Sequence, residues 1–421
     1  MMTEKKESKM TPYFIINAAI YSLFFFLAAG SGPGAYAGTN DAASPEYGFG
    51  EKTEVEIMKE KPREAKIGVL GDMSGELSRF GKEAANGAEL AADEVNGKGG
   101  IRGKEFDLLI FDTAGSVAGA RVGVETFLKH RAVAVVGAAT SEVSFAANKM
   151  INDNQLPLIS SGSRRRLGDT GPYNYRNSLT DSNGVSSMVD FIQQKRPWKK
   201  FALFSSVVND YSIQLNAVFK MELIKRNLQI IDEYYIWSHG MDSVIPGERG
   251  VEAQIKKMIK NPPDAIVYTG GDEEGVKLVT EMKKLGLKIP VIGCEDLMTE
   301  AFTELGKDAE GTLVFSGFDV NSKLPRTEAF VKNYTERFGQ TPTIMAALAY
   351  DSLHILAIAL EKAESLRPSH VRAALMNIDK YQGVTGITSI GSTREADKTA
   401  FIFELRKTGH EYGFEYIHGG K

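Results

Sequence analysis

Residues 66–103 read KIGVLGDMSGELSRFGKEAANGAELAADEVNGKGGIRG, and their pattern decides the fold. The apolar run 67–70 is too short for a helix and reads as a buried strand. A loop of small and polar residues follows, Gly71-Asp72-Met73-Ser74-Gly75. Beyond it Ala84, Ala85, Ala88, Ala91, Ala92 and Val95 recur at helical spacing until Asn96-Gly97 ends the segment. The rest of the chain repeats this strand, loop and helix. Strands are expected at 106–111, 133–136, 156–160, 201–205, 229–237, 265–268, 289–292 and 312–315, with helices such as 117–129 and 143–151 between most of them. Continuous apolar strands separated by helices imply parallel sheets covered on both faces. A chain of this length divides such sheets between two lobes.

In open parallel sheets, ligands bind beyond the carboxyl ends of the strands, where helix N-termini also point. The loops at those positions are 71–75, 137–141, 160–164, 205–206, 269–272 and 293–296, rich in Gly, Ser, Thr and acids. Turn formation explains any one of them. Six at equivalent topological positions propose a binding cleft.

Composition narrows the chemistry. The 421 residues carry 50 Lys+Arg and 54 Asp+Glu, a formal charge of −4, which argues against a broad nucleic-acid-binding surface. A single cysteine, Cys294, excludes an intrachain disulfide and a thiolate-rich metal site, and reads as a buried apolar residue. The start is basic at Lys5, Lys6 and Lys9, uncharged from Tyr13 to Ala29, and small at Ala35 and Ala37. That is the pattern of a secretory signal peptide over residues 1–37, cleaved after Ala37. Retention as an anchor is the other reading. Cleavage removes three Lys and two Glu, leaving 47 − 52 = −5. Residues 38–63 mix Gly, Pro and charge and read as a flexible lead-in. No later segment reads as a membrane span.

Motifs for catalysis are missing. The first glycines are spaced Gly68, Gly71, Gly75, without the dinucleotide fingerprint, and Glu83 stands where a phosphate loop needs Ser or Thr. There is no G-x-S-x-G elbow. The six histidines lack metal-ligand spacing, so neither a metal nor a cofactor is expected. Asp272-Glu273-Glu274 reads as a helix start offsetting the macrodipole. In Arg164-Arg165-Arg166, the first arginine is placed to meet a ligand carboxylate with forked hydrogen bonds.

The order of motifs, strand 67–70, then Ser74-Gly75, Gly81, Asn86-Gly87-Ala88 and Asn96-Gly97-Lys98-Gly99-Gly100-Ile101, resembles the type I periplasmic binding proteins of the leucine/isoleucine/valine-binding class. Further matches are Pro157-Leu158-Ile159-Ser160-Ser161-Gly162, Asp210-Tyr211, residues 265–271 and Phe338-Gly339-Gln340-Thr341-Pro342. The resemblance runs from Lys66 to the C-terminus. It implies an α/β fold of two Rossmann-like, doubly wound lobes joined by three crossings, with a ligand cleft between them. The expected lobes are 64–183 plus 314–386 and 184–313 plus 387–421. It also implies an exported, periplasmic, monomeric receptor. Such a receptor catalyses nothing, binds an amino acid or amino-acid-like carboxylate, and hands it to an ABC permease with separate ATPase subunits.

Position by position, the resemblance assigns Ser141 to the ligand carboxylate, Ser163 to a backbone contact, Glu295 to the ligand ammonium, and Phe80 and Tyr211 to aromatic walls. A zwitterion taken out of water needs both charges paired, which agrees with these roles. The sequence departs from the family pattern twice. Arg164 stands where a threonine usually touches the ammonium, and Asp272 where an aromatic is common. Both point to a more polar ligand, or to one whose carboxylate meets Arg164. A sensor serving a separate signalling chain is the alternative function. An exported enzyme lacks a nucleophile–base pair, and a transcription regulator would need an N-terminal helix-turn-helix.

Overall fold

The computed structural model describes residues 14–17 and 65–419, apart from 76–77, 138–139, 164–165, 208–209, 237–249 and 399. The expected signal peptide and lead-in therefore lie outside the described residues, except for 14–17. The chain forms two units. One comprises Met1–Ser178, Ser322–Val384 and Thr388–Ala396; the other comprises Leu179–Asn321, Thr385–Ile387 and Asp397–Lys421.

The first unit holds a six-stranded sheet of β1 (Phe14–Asn17), β2 (Lys66–Gly71), β3 (Asp107–Asp112), β4 (Ala134–Gly137), β5 (Leu158–Ser160) and β6 (Asn174–Arg176). The spatial order is β1-β3-β2-β4-β5-β6, and every pairing is parallel. The order reverses between β2 and β4, so the loops leaving those two strands flank the switch point where such sheets take ligands. Leu70, Phe111, Val135 and Leu158 pack with Phe127 and Val143 of the helices Val117–Lys129 and Ser141–Asp153. The alanine-rich helix Ser78–Gly97 lies against Ile344–Lys362. The two backbones approach closely at Gly87, where an added Cβ would lie 2.1 Å from the Ala346 carbonyl oxygen.

Ile344–Lys362 corrects one expectation. By length and composition this helix could cross a membrane. Its side chains from Ala346 to Ala357 are buried, however, with Asp351, Ser352 and His354 among them, as in the core helix of a folded unit.

The second unit holds β7 (Lys200–Ser206), β8 (Gln229–Ile236), β9 (Ala265–Tyr268), β10 (Val291–Cys294) and β11 (Leu313–Ser316). The strands β12 (Ile378–Gly383), β13 (Gly386–Ile390) and β14 (Ala396–Asp397) make a separate small sheet. The hairpin β15 (Phe401–Thr408) and β16 (Glu411–Gly419) completes the larger one in the order β16-β15-β11-β10-β9-β7-β8. Its strands β8 to β11 are parallel, while β15 runs antiparallel to β11 and β16 to β15. The expectation of purely parallel sheets thus fails at this edge, where a two-residue turn sufficed in place of a crossover helix. Alternate residues of β7 and β9 enter separate cores: Ala202, Phe204, Ile266 and Tyr268 one, Phe201, Leu203, Ala265 and Val267 the other. Burial on both faces is why these strands read as unbroken apolar runs.

Candidate functional site

The first unit gathers its polar residues at the switch point between β2 and β4. Asp72 follows β2 directly, fully buried, and accepts a hydrogen bond from the Thr113 hydroxyl. The Thr140 hydroxyl donates to its other oxygen at 3.4 Å. Burial pushes the Asp72 carboxyl up, with the charges of Asp112 and Glu142 acting the same way against the two threonine hydrogen bonds. Neighbouring Asp112 accepts from the amides of Met73, Ser74 and Ala114, which fixes the loop after β2.

Ser141 is the first residue of the helix Ser141–Asp153, and Thr140 is its N-cap, with its side chain accepting from the Val143 amide. The Ser163 hydroxyl donates to the Ser141 hydroxyl at 3.3 Å. The amide of Ser163 donates to Ser160 Oγ, which in turn lies 3.0 Å from Ser144 Oγ. Two expected ligand residues from separate loops thus meet at the start of one helix, where amides and the macrodipole favour an anion. Phe80 stands on the helix Ser78–Gly97 with 42% of its surface exposed. Arg164 lies outside the described residues.

In the second unit the strand order reverses between β7 and β9, and the expected residues leave the same strand ends. Tyr211 is in the first turn of the helix Asp210–Lys225, and its hydroxyl donates to Asp181 at 3.1 Å. Asp272 opens the helix Asp272–Lys284 and accepts from the Glu273 amide. Glu295 follows β10 in a half-buried turn. Its Oε2 accepts from the Ser316 hydroxyl at 2.7 Å and from the Gly317 amide at 3.3 Å. Beside it, Cys294 is buried in the apolar core. Sequence reasoning did not single out Asp72, Thr140, Asp181 or Ser316 as participants. The first two stand in loops already flagged as polar, whereas Asp181 and Ser316 are identified only by their partners.

Both units thus carry polar groups at the carboxyl ends of open α/β sheets, the place where such sheets take ligands. Among the described residues, no group of three or more His, Cys, Asp or Glu could hold a metal ion. The chain belongs to the periplasmic binding protein family, whose model matches residues 64–410. It is 24% identical over 352 residues to the Leu/Ile/Val-binding protein BraC3 of Rhizobium johnstonii, covering 81% of this chain and 90% of that one. It is 26% identical over 348 residues to the Leu/Ile/Val-binding protein homolog 3 of Brucella melitensis, covering 81% and 90%. Among solved structures, it is 25% identical to the branched-chain amino acid transporter substrate-binding protein LivJ of Streptococcus pneumoniae in complex with isoleucine. That match has a TM-score of 0.66 and covers 84% of this chain and 99% of that chain.

Proposed function

We propose that this chain is the extracytoplasmic solute receptor of an ABC importer, non-catalytic, taking an amino acid (branched-chain or related) or an amino-acid-like carboxylate. The observation that carries the reading is the meeting of Ser163 and Ser141 at a helix start. Two hydroxyls beside helix amides suit a carboxylate, and they form no nucleophile–base pair. Glu295, held by Ser316 and Gly317, supplies the opposite charge on the second unit. A zwitterion taken out of water needs both of its charges paired, and these residues supply a partner for each. Arg164 and Asp272 favour a ligand more polar than leucine. Export, and delivery to separate permease and ATPase subunits, are part of the same proposal and follow the family.

A thermal-shift survey of the full chain against amino acids and carboxylic acids tests it. A ligand present at about 100 times its Kd adds about 2.7 kcal/mol to stability. A rise in Tm with one or a few of these compounds, recovered chemically unchanged, is expected. No shift with any of them, or conversion to a product, would reject the proposal.

A further inference from the structure

Beyond the residues expected to meet ligand, the first unit contains a buried ion pair that grips both ends of the Ser163 loop. Arg176 ends β6 with its side chain fully buried, and Glu395 is 7% exposed. Arg176 Nε donates to Glu395 Oε2 at 2.6 Å. The guanidinium also reaches the start of the loop, where Nη1 donates to the Ser163 carbonyl at 3.1 Å. The Ser178 hydroxyl donates to the same carbonyl at 2.6 Å. Glu395 reaches the far end, where Oε1 accepts from the amides of Leu167 and Gly168 at 2.8 and 2.7 Å. Arg394 Nε closes that end by donating to the Gly168 carbonyl at 3.0 Å. The backbones are joined as well: the Arg176 amide donates to the Arg394 carbonyl, and residues 176 and 395 form an isolated parallel bridge.

We propose that Arg176 and Glu395 are positioning residues for ligand recognition. As one buried pair they fix residues 163 and 167–168, and thereby set where Ser163 stands. The proposal rests on the receptor reading above. Burying two charges is a poor way to gain stability alone, because apolar side chains of similar volume often serve as well or better. What apolar residues could not do is satisfy the buried loop amides and the Ser163 carbonyl. The pair also lies within two residues of Ser178 and Ala396, where the chain passes from the first unit to the second. The loop is therefore tied to two of the passages through which a hinge motion would act.

The test uses the full chain, with Glu395→Gln and, as a milder change, Arg176→Lys, which keeps the charge but loses the guanidinium fork. Hydrogen exchange is read at residues 163–168 and at Val135 and Leu158 in the core. Affinity is read by calorimetry with whichever L-amino acid gives the largest thermal shift. We expect loop amides to exchange at least about tenfold faster while the core changes far less, and the Kd to rise at least about tenfold through faster dissociation. Loop and core accelerating together would show a merely structural pair and overturn the proposal. So would a Kd within about twofold of the parent. If the parent chain binds no compound offered, the receptor reading fails separately, and the exchange pattern alone decides whether the pair fixes the loop.

Discussion

Replacing Glu295 by glutamine keeps the shape of the side chain and removes its charge. The glutamine oxygen can still accept the Ser316 hydroxyl, which now lies 2.7 Å from Oε2, so the turn after β10 is expected to keep its place. The half-buried position limits the cost to folding. What changes is the bond to a ligand ammonium. A hydrogen bond to a charged group contributes about 1.5–3 kcal/mol, and a neutral one about 0.5–1.5. The difference of about 1–1.5 kcal/mol corresponds to an affinity about 5- to 13-fold weaker. Calorimetry on the full chain measures this with an L-amino acid and with its 2-hydroxy analogue, which has no ammonium group. The Glu295→Gln variant should lose affinity for the amino acid and hold or gain it for the hydroxy acid. Equal loss for both, or unchanged amino-acid affinity, would refute the ammonium role.

Three further outcomes follow from the same structure. Gly81→Ala places a Cβ 2.3 Å from the Asp72 carbonyl oxygen and should cost about 1–3 kcal/mol. Gly97→Ala meets nothing within 4 Å and should be neutral or slightly stabilising, and urea denaturation distinguishes the two. Burial raises the Asp72 carboxyl above the ordinary 3.8. Its protonated form therefore favours folding at low pH, and that contribution is lost as pH rises through the folded value. The urea midpoint of Asp72→Asn should gain on the parent chain from about pH 4 to about pH 7, whereas a constant gap would contradict the assignment. Arg164→Thr should tighten binding of leucine or isoleucine, measured by calorimetry, because it removes a cation from the position expected near the ammonium. An unchanged or weaker affinity would show that Arg164 does not select against branched-chain ligands.

The alternation of strands and helices was legible because buried parallel strands leave unbroken apolar runs. Val117–Lys129 and Ala265–Tyr268 coincide with their expected ranges, and most other strands differ by one or two residues at an end. β6 was missed because Asn174-Tyr175-Arg176 is not an apolar run. Its arginine is buried against Glu395, 219 residues away in sequence, which neutralises it. No local pattern reports such a partner. The antiparallel hairpin at the C-terminus was missed for a related reason: direction depends on the connection and not on the strand's own residues. At the site, Ser141 was located by its loop. That the Thr140 side chain caps the helix, and that the Ser163 hydroxyl donates to Ser141, depend on where the folded chain brings these side chains.

The central claim is that a small zwitterion or carboxylate binds this chain reversibly and leaves unchanged. Calorimetry of the full chain with the strongest thermal-shift compound, followed by mass spectrometry of the released ligand, tests it directly. The account predicts one site per chain and full recovery of intact ligand, with binding weakened by Ser141→Ala. Absence of saturable binding, or recovery of an altered molecule, would contradict it.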